Sequence, residues 1–259
     1  STEVNADWRF GIPKDLKETG YTNAPNNDGM GTSKGKVDNM WMYHAVGQTI
    51  LASNILRADD RVNADQVGVT GISWGGVITS ITIGYDTRFA FAIPVYGSGY
   101  LNESLAWMKD HFGVADTKKL WLAQKNFDKV DMPVLWLCWN DDSCFSINSN
   151  SKSYLDTIKN NSDTRISMIN KMMHSHGSGW TPCESMAFAD SIVKGGAKLT
   201  QAIDNSEGNT LSLTIDADPS ATKVTATLYY LTKAPTTKNF KKYTYEGTFI
   251  EEYWNTLHD

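Results

Sequence analysis

The sequence predicts an α/β protein, a doubly wound parallel sheet over residues 1–196 followed by a β-rich antiparallel module over 197–259. Three observations carry this. Short apolar runs rich in β-branched residues alternate with helical stretches between residues 38 and 196, the order that builds a parallel sheet covered by helices. One run, Gln66 to Thr70, ends in the turn Gly71-Ile72-Ser73-Trp74-Gly75-Gly76 and passes straight into an apolar segment, Val77 to Tyr85. Beyond Lys198 the pattern changes to strict alternation, as in Leu211-Ser212-Leu213-Thr214-Ile215, which is the signature of antiparallel strands with one solvated face.

Taken in order, residues 1–36 offer only Val4, Trp8, Phe10 and Ile12 as anchors, and irregular structure packed over another part of the molecule is expected. Asp38 fits a helix N-cap. Tyr43, Val46, Gly47, Ile50, Leu51 and Ile55 then recur at helical spacing, predicting an amphipathic helix to about Arg57 with that stripe facing the core. His44 on this helix reads as a locally hydrogen-bonded side chain. Phe89 to Tyr96 is a buried-type strand, and residues 100–130 read as two helical pieces anchored by Trp107, Leu120, Trp121 and Leu122. Pro133 to Cys138 is the next strand and runs into Asn140-Asp141-Asp142. A helix over Asn148–Lys159 precedes the strand Arg165–Ile169, which leads into Met172-Met173-His174-Ser175-His176-Gly177. A helix over Pro182–Lys194 stops at Gly195-Gly196. Val224–Leu231 and Tyr243–Ile250 are further strands, with Asp218-Pro219 and Ala234-Pro235 in the connectors.

Composition narrows the function classes. The chain has 259 residues, 41% hydrophobic and 20% charged, with a net charge of −5. There is no basic run to meet nucleic acid or an anionic membrane, and no apolar stretch long enough to span a bilayer. Cys138, Cys144 and Cys183 form neither a disulfide framework nor a zinc spacing, and buried free thiols are expected. No metal or other cofactor is expected. Nine tryptophans and many Asn, Ser and Thr residues are compatible with a secreted carbohydrate-active protein.

The Gly-x-Ser-x-Gly-Gly turn carries the chemistry. A strand-to-helix turn of this kind forces the serine into a strained conformation, and glycines at Gly71 and Gly75 leave no Cβ to obstruct the helix. The N–H of Trp74 then faces a developing oxyanion at a helix N-terminus. A serine hydroxyl is a weak nucleophile until a histidine takes its proton, and the histidine needs a carboxylate to fix its tautomer. The chain supplies these in the order Ser73, then Asp141 and Asp142 after one strand, then His174 and His176 after the next. Counting from Pro133 favours Asp142 over Asp141. His176, which precedes Gly177 and leaves a loop of ordinary length, is favoured over His174, a candidate for a supporting or substrate contact.

On these residues the sequence resembles the α/β-hydrolases, in particular the acetyl xylan esterase-like and prolyl-oligopeptidase-like serine hydrolases. The matching segments are Tyr43-His44-Ala45-Val46, Gly68 to Gly76, Pro94-Val95-Tyr96-Gly97, Pro133 to Leu137 with Asp142, and His174 to Gly177 before Gly179-Trp180-Thr181-Pro182. The resemblance covers about Asp38 to Gly196. It implies Ser73 as nucleophile, Asp142 as acid and His176 as base. It does not fix the substrate: the first reading is an esterase acting on a small ester or acylated saccharide, with Trp139 and Trp180 as candidates to stack on sugar rings. A prolyl-oligopeptidase-type peptidase shares the same three residues, and a truncated, non-catalytic binding module is the third reading. Two departures stand out. Trp139 replaces the glycine such proteins often carry before the acid loop. Only 72 residues precede Ser73, where the resemblance implies four strands and a loop giving the second oxyanion donor. The chain is therefore expected to be a piece of a longer precursor, or to have its sheet completed by another segment or by a second copy.

Overall fold

A computed structural model describes residues 41–113, 115–208, 210–225, 227–230 and 255–258. Its centre is a four-stranded parallel sheet of Val69–Ile72 (β1), Ala92–Val95 (β2), Leu135–Trp139 (β3) and Arg165–Ile169 (β4), hydrogen-bonded in that order. The β1–β2 register runs from Val69↔Ala92 to Ile72↔Val95, and the β3–β4 register from Leu135↔Arg165 to Trp139↔Ile169. The β2–β3 ladder is reduced to Val95↔Leu137 beside an isolated Ala92↔Val134 bridge. Pro94 explains this, because it has no N–H to donate in the middle of the strand. The Ala92 and Tyr96 N–H groups on either side hold the pairing through Pro133 O at 3.1 Å and Leu137 O at 2.9 Å.

The strands are joined by helices. These are Trp41–Arg57 (α1), Trp74–Thr82 (α2), Met108–Phe112 (α3), Ala115–Leu120 (α4), Ile147–Thr157 (α5), His176–Trp180 (α6) and Cys183–Val193 (α7). All four residues of β2 and the first four of β3 are buried, which is why both read as near-continuous apolar runs. Val77, Ile78 and Ile81 of α2 belong to one core with Ile93, Val95 and the fully buried Trp136. The Trp136 indole N–H donates to Thr157 Oγ1 at 2.9 Å, so this large side chain is buried without an orphaned donor. Beyond the sheet, Gln201–Asp204 (β5) pairs antiparallel with Leu213–Asp216 (β6), and Thr227–Tyr230 (β7) with Asn255–His258 (β8).

Several expectations are corrected. The apolar stripe of α1 faces the core only in part: Val46 is buried and Ile50 packs on the core, but Tyr43, Leu51 and Ile55 are exposed, and Met42, Ala45 and Ser53 are buried beside them. Helix α2 packs against α1, and Tyr43, Val46, Ile50 and Leu51 line a groove shared with Tyr85 and Trp121. Residues 100–130 hold two short helices, α3 and α4, and in addition 3-10 turns at Leu101–Glu103 and Ala123–Lys129. Cys138 is buried, but Cys183 is exposed. The N-terminal anchors, the Asp38 cap and the strand over Tyr243–Ile250 lie outside the described residues.

Candidate active site

β1 delivers its last residue to the rim of the sheet, and the chain turns at once into α2. Ser73 sits at that turn with φ 58° and ψ −115°, a conformation that costs an L-residue roughly 1–3 kcal/mol unless its surroundings enforce it. They do so here. The Ser73 N–H donates to Val95 O at 2.9 Å, and the Ser73 carbonyl accepts from the Val77 N–H at 2.9 Å. The glycines explain the closeness. A Cβ on Gly71 would lie 2.2 Å from Gly75 O, and one on Gly76 would lie 2.4 Å from Val95 O. The expected role of Gly75 is not seen, because a Cβ there would meet nothing within 4 Å. Gly76 is the position where backbone meets backbone.

Asp142 follows β3 and is buried, with 3% of its surface exposed. Its Oδ1 accepts from the N–H groups of Cys144 at 2.9 Å and Phe145 at 3.0 Å, so two backbone donors aim the carboxylate. Its Oδ2 lies 2.6 Å from Nδ1 of His174. The other imidazole nitrogen, Nε2, lies 2.7 Å from Ser73 Oγ. Three side chains from three strand ends therefore form one continuous hydrogen-bonded chain. Asp141 is also buried, but Asp142 is the carboxylate that meets the imidazole.

His174, not His176, occupies the position between serine and carboxylate. The loop after β4 is tightened by two non-glycine residues in the left-handed region, Lys171 and Met173, each at φ 63°. This brings the earlier histidine to the rim. His176 is already the first residue of α6, exposed, behind the N-cap Ser175, whose hydroxyl accepts from the Ser178 N–H. Helix α6 is itself pressed onto the end of β1, since a Cβ on Gly179 would come within 2.9 Å of the Ile72 side chain.

Two aromatic residues at the site had escaped the sequence reading. The Tyr96 ring is stacked on His174 with centroids 4.5 Å apart and planes at 20°. Phe145 lies nearly parallel to the same imidazole at 5.8 Å and 19°. Their positions hold the available signal: Tyr96 directly follows β2 at the rim, and Phe145 lies three residues past Asp142. Burial pushes the Tyr96 hydroxyl well above the ordinary phenol range, and the nearby Asp142 charge adds to it. Burial, then the Asp142 charge, likewise raises Cys138, which stays a thiol and offers no competing nucleophile.

The remaining candidates are placed as follows. Trp74 opens α2, so its N–H belongs to the helix N-terminus beside Ser73 Oγ. Its half-buried ring packs on Trp107 at 5.8 Å and Phe112 at 6.3 Å. Trp139 ends β3 half-buried against the core, and its enclosed Nε1 has no hydrogen-bond partner. Trp180, on α6, is 69% exposed. Among the described residues no cluster of three or more metal-ligating side chains occurs.

No protein-family model matches the sequence, and no curated protein matches it by sequence. Solved structures do match. A puromycin-hydrolysing peptidase of Mycobacterium tuberculosis superposes with a TM-score of 0.50 at 17% identity, covering 59% of this chain and 26% of its own. Acylaminoacyl peptidase of Pyrococcus horikoshii matches with a TM-score of 0.47 at 21% identity, over 57% of this chain and 27% of that one. Acetyl xylan esterase 1 of Thermoanaerobacterium sp. JW/SL YS485 matches with a TM-score of 0.48 at 18% identity, over 67% of this chain and 61% of that one. The chain thus spans about a quarter of the peptidases and less than two thirds of the esterase. Its parallel sheet with flanking helices is part of the α/β-hydrolase fold that these serine hydrolases share.

Proposed function

We propose that this chain hydrolyses carboxylic esters through an acyl-enzyme on Ser73, with a small acyl group such as acetyl carried on a saccharide as the substrate class. The observation that carries the reading is the unbroken hydrogen-bonded chain Asp142–His174–Ser73. As the Ser73 hydroxyl oxygen attacks the ester carbonyl carbon, its proton passes to His174 Nε2. Asp142, held by the Cys144 and Phe145 N–H groups, keeps the Nδ1 proton in place and stabilises the imidazolium. The carbonyl oxygen becomes an oxyanion facing the Trp74 N–H at the start of α2. Collapse breaks the bond to the alcohol, which leaves with the proton from Nε2. Water then attacks the acyl carbon and gives a proton to the same nitrogen; collapse breaks the bond to Ser73 Oγ, which takes that proton back from Nε2, and the carboxylic acid departs.

An ester suits this site because an alcohol leaves more readily than an amine. Solvent-facing Trp180, on a helix seated against Ile72 just before the nucleophile, supports a saccharide as the alcohol portion. A second reading is a peptidase of prolyl-oligopeptidase type, which uses the same three side chains. It is favoured by the half-buried rings of Trp74, the residue after Ser73, and Trp107, packed on each other at 5.8 Å, which offer apolar surface to a substrate side chain. Turnover of acetylated xylo-oligosaccharide and p-nitrophenyl acetate without cleavage of Gly-Pro p-nitroanilide is expected. Cleavage of the anilide with no ester turnover would replace the first reading by the second.

A further inference from the structure

We propose that Tyr96 is a positioning residue that holds His174 in register with Ser73, its ring fixing the imidazole and its hydroxyl fixing the backbone just before it. The inference rests on the reading of His174 as the general base. Tyr96 is completely buried and directly follows Val95, the residue whose carbonyl accepts the Ser73 N–H. One dipeptide therefore touches both partners of the proton transfer: Val95 holds the serine backbone, and Tyr96 stacks on the histidine. The Tyr96 hydroxyl donates to Met173 O at 2.6 Å, and that same carbonyl accepts the Ser175 N–H at 3.1 Å. Both residues flanking His174 are thereby tied to one oxygen, which is itself tied to Tyr96.

Backbone strain argues against filler packing. Tyr96 lies at φ 49° and Met173 at φ 63°, and a side chain in the left-handed region costs of order 1 kcal/mol or more, which glycine would relieve. The two strained residues are joined to each other by the Tyr96–Met173 hydrogen bond. The Tyr96 N–H, bonded to Leu137 O at 2.9 Å, anchors the arrangement to the sheet. Phe145, parallel to the imidazole and fixed through Asp142, supports the ring from the acid loop.

The test uses Y96F, which keeps the ring and removes the hydroxyl, and Y96L, which removes both. Saturation kinetics with a fluorophosphonate probe separate the maximal inactivation rate at Ser73 from the probe's binding constant. We expect that rate to fall about 3–10-fold in Y96F and roughly 30–100-fold in Y96L, as small misplacements of a catalytic group do, with probe binding within about twofold of wild type. The downfield proton resonance of the His174 Nδ1–H in its bond to Asp142 supplies a readout independent of activity. It is expected to persist in Y96F and to vanish in Y96L at temperatures where circular dichroism shows native structure. A wild-type inactivation rate in both variants would overturn the proposal, and so would a loss confined to probe binding. If Y96L does not fold, Y96F decides alone, and a wild-type rate there removes the hydroxyl's role. If the wild-type chain resists labelling while the resonance is present and lost in Y96L, positioning stands and the ester-hydrolase reading fails.

Discussion

Gly97 rests directly on the backbone of Gly76, so that a Cβ on Gly97 would lie 2.2 Å from the Gly76 carbonyl carbon. This contact seats the first turn of α2 on the end of β2. The buried Ser80 hydroxyl lies against the carbonyls of both glycines, which share its single proton. Gly97→Ala has no flexible neighbour to push aside and should destabilise by about 3 kcal/mol or more, read as a lower urea midpoint with unchanged slope.

The two glycines that flank Ser73 should behave differently. Gly71→Ala places a methyl group against Gly75 O and is expected to destabilise by about 2–3 kcal/mol. Gly75→Ala enters open space within α2 and should be neutral or stabilise by up to about 1 kcal/mol, as helix propensity favours alanine. Thermal unfolding of the two variants side by side checks the ordering.

The two aspartates after β3 should separate in the same way for activity. Asp142→Asn keeps an oxygen for the Cys144 and Phe145 N–H groups but leaves the His174 tautomer unenforced, and ester turnover should fall by about four orders of magnitude. Asp141→Asn should cost far less. Equal losses in the two variants would remove Asp142 from its assigned role.

Much of this arrangement was legible in the sequence, for physical reasons that differ by element. The strand–serine–helix turn is dictated by glycine spacing and β-branched residues, so β1, Ser73 and α2 follow in the expected order, although the strand starts later, at Val69, and the helix earlier, at Trp74. β4 was expected over the residues it occupies, Arg165–Ile169. The choice between His174 and His176 was not legible, because Lys171 and Met173 take left-handed conformations without being Gly or Asn, and a count of loop residues assumes ordinary geometry. The buried face of α1 was legible only in part. Periodicity finds an apolar stripe, of which Val46 and Ile50 pack on the core, while Ala45 and Ser53 are buried beside them and Leu51 and Ile55 face outward. Tyr96 read as the end of a strand and as part of a matching segment, not as a site residue, since stacking across 77 intervening positions to the histidine loop leaves no local trace.

The acid limb of stability should depend on Asp86. Its carboxylate is buried and is held below the ordinary range first by its hydrogen bonds with the Arg88 side chain. A lowered carboxyl pKa stabilises the fold above the unfolded value of 3.8, and that contribution disappears as pH falls through the folded value. Asp86→Asn should therefore lose about 1 kcal/mol at neutral pH, the exposed Arg88 end being screened by solvent, and nothing at the lowest pH. Chemical denaturation between pH 7 and pH 2 measures the difference, and a constant penalty across that range would contradict the ionic origin.

The most direct measurement is mass-spectrometric mapping of a fluorophosphonate adduct on the wild type, His174→Ala and His176→Ala. A triad through His174 predicts a single adduct on Ser73 in the wild type and His176→Ala, and none in His174→Ala over the same exposure. Labelling that survives the loss of His174 and vanishes with His176, or an adduct on any other residue, would contradict it.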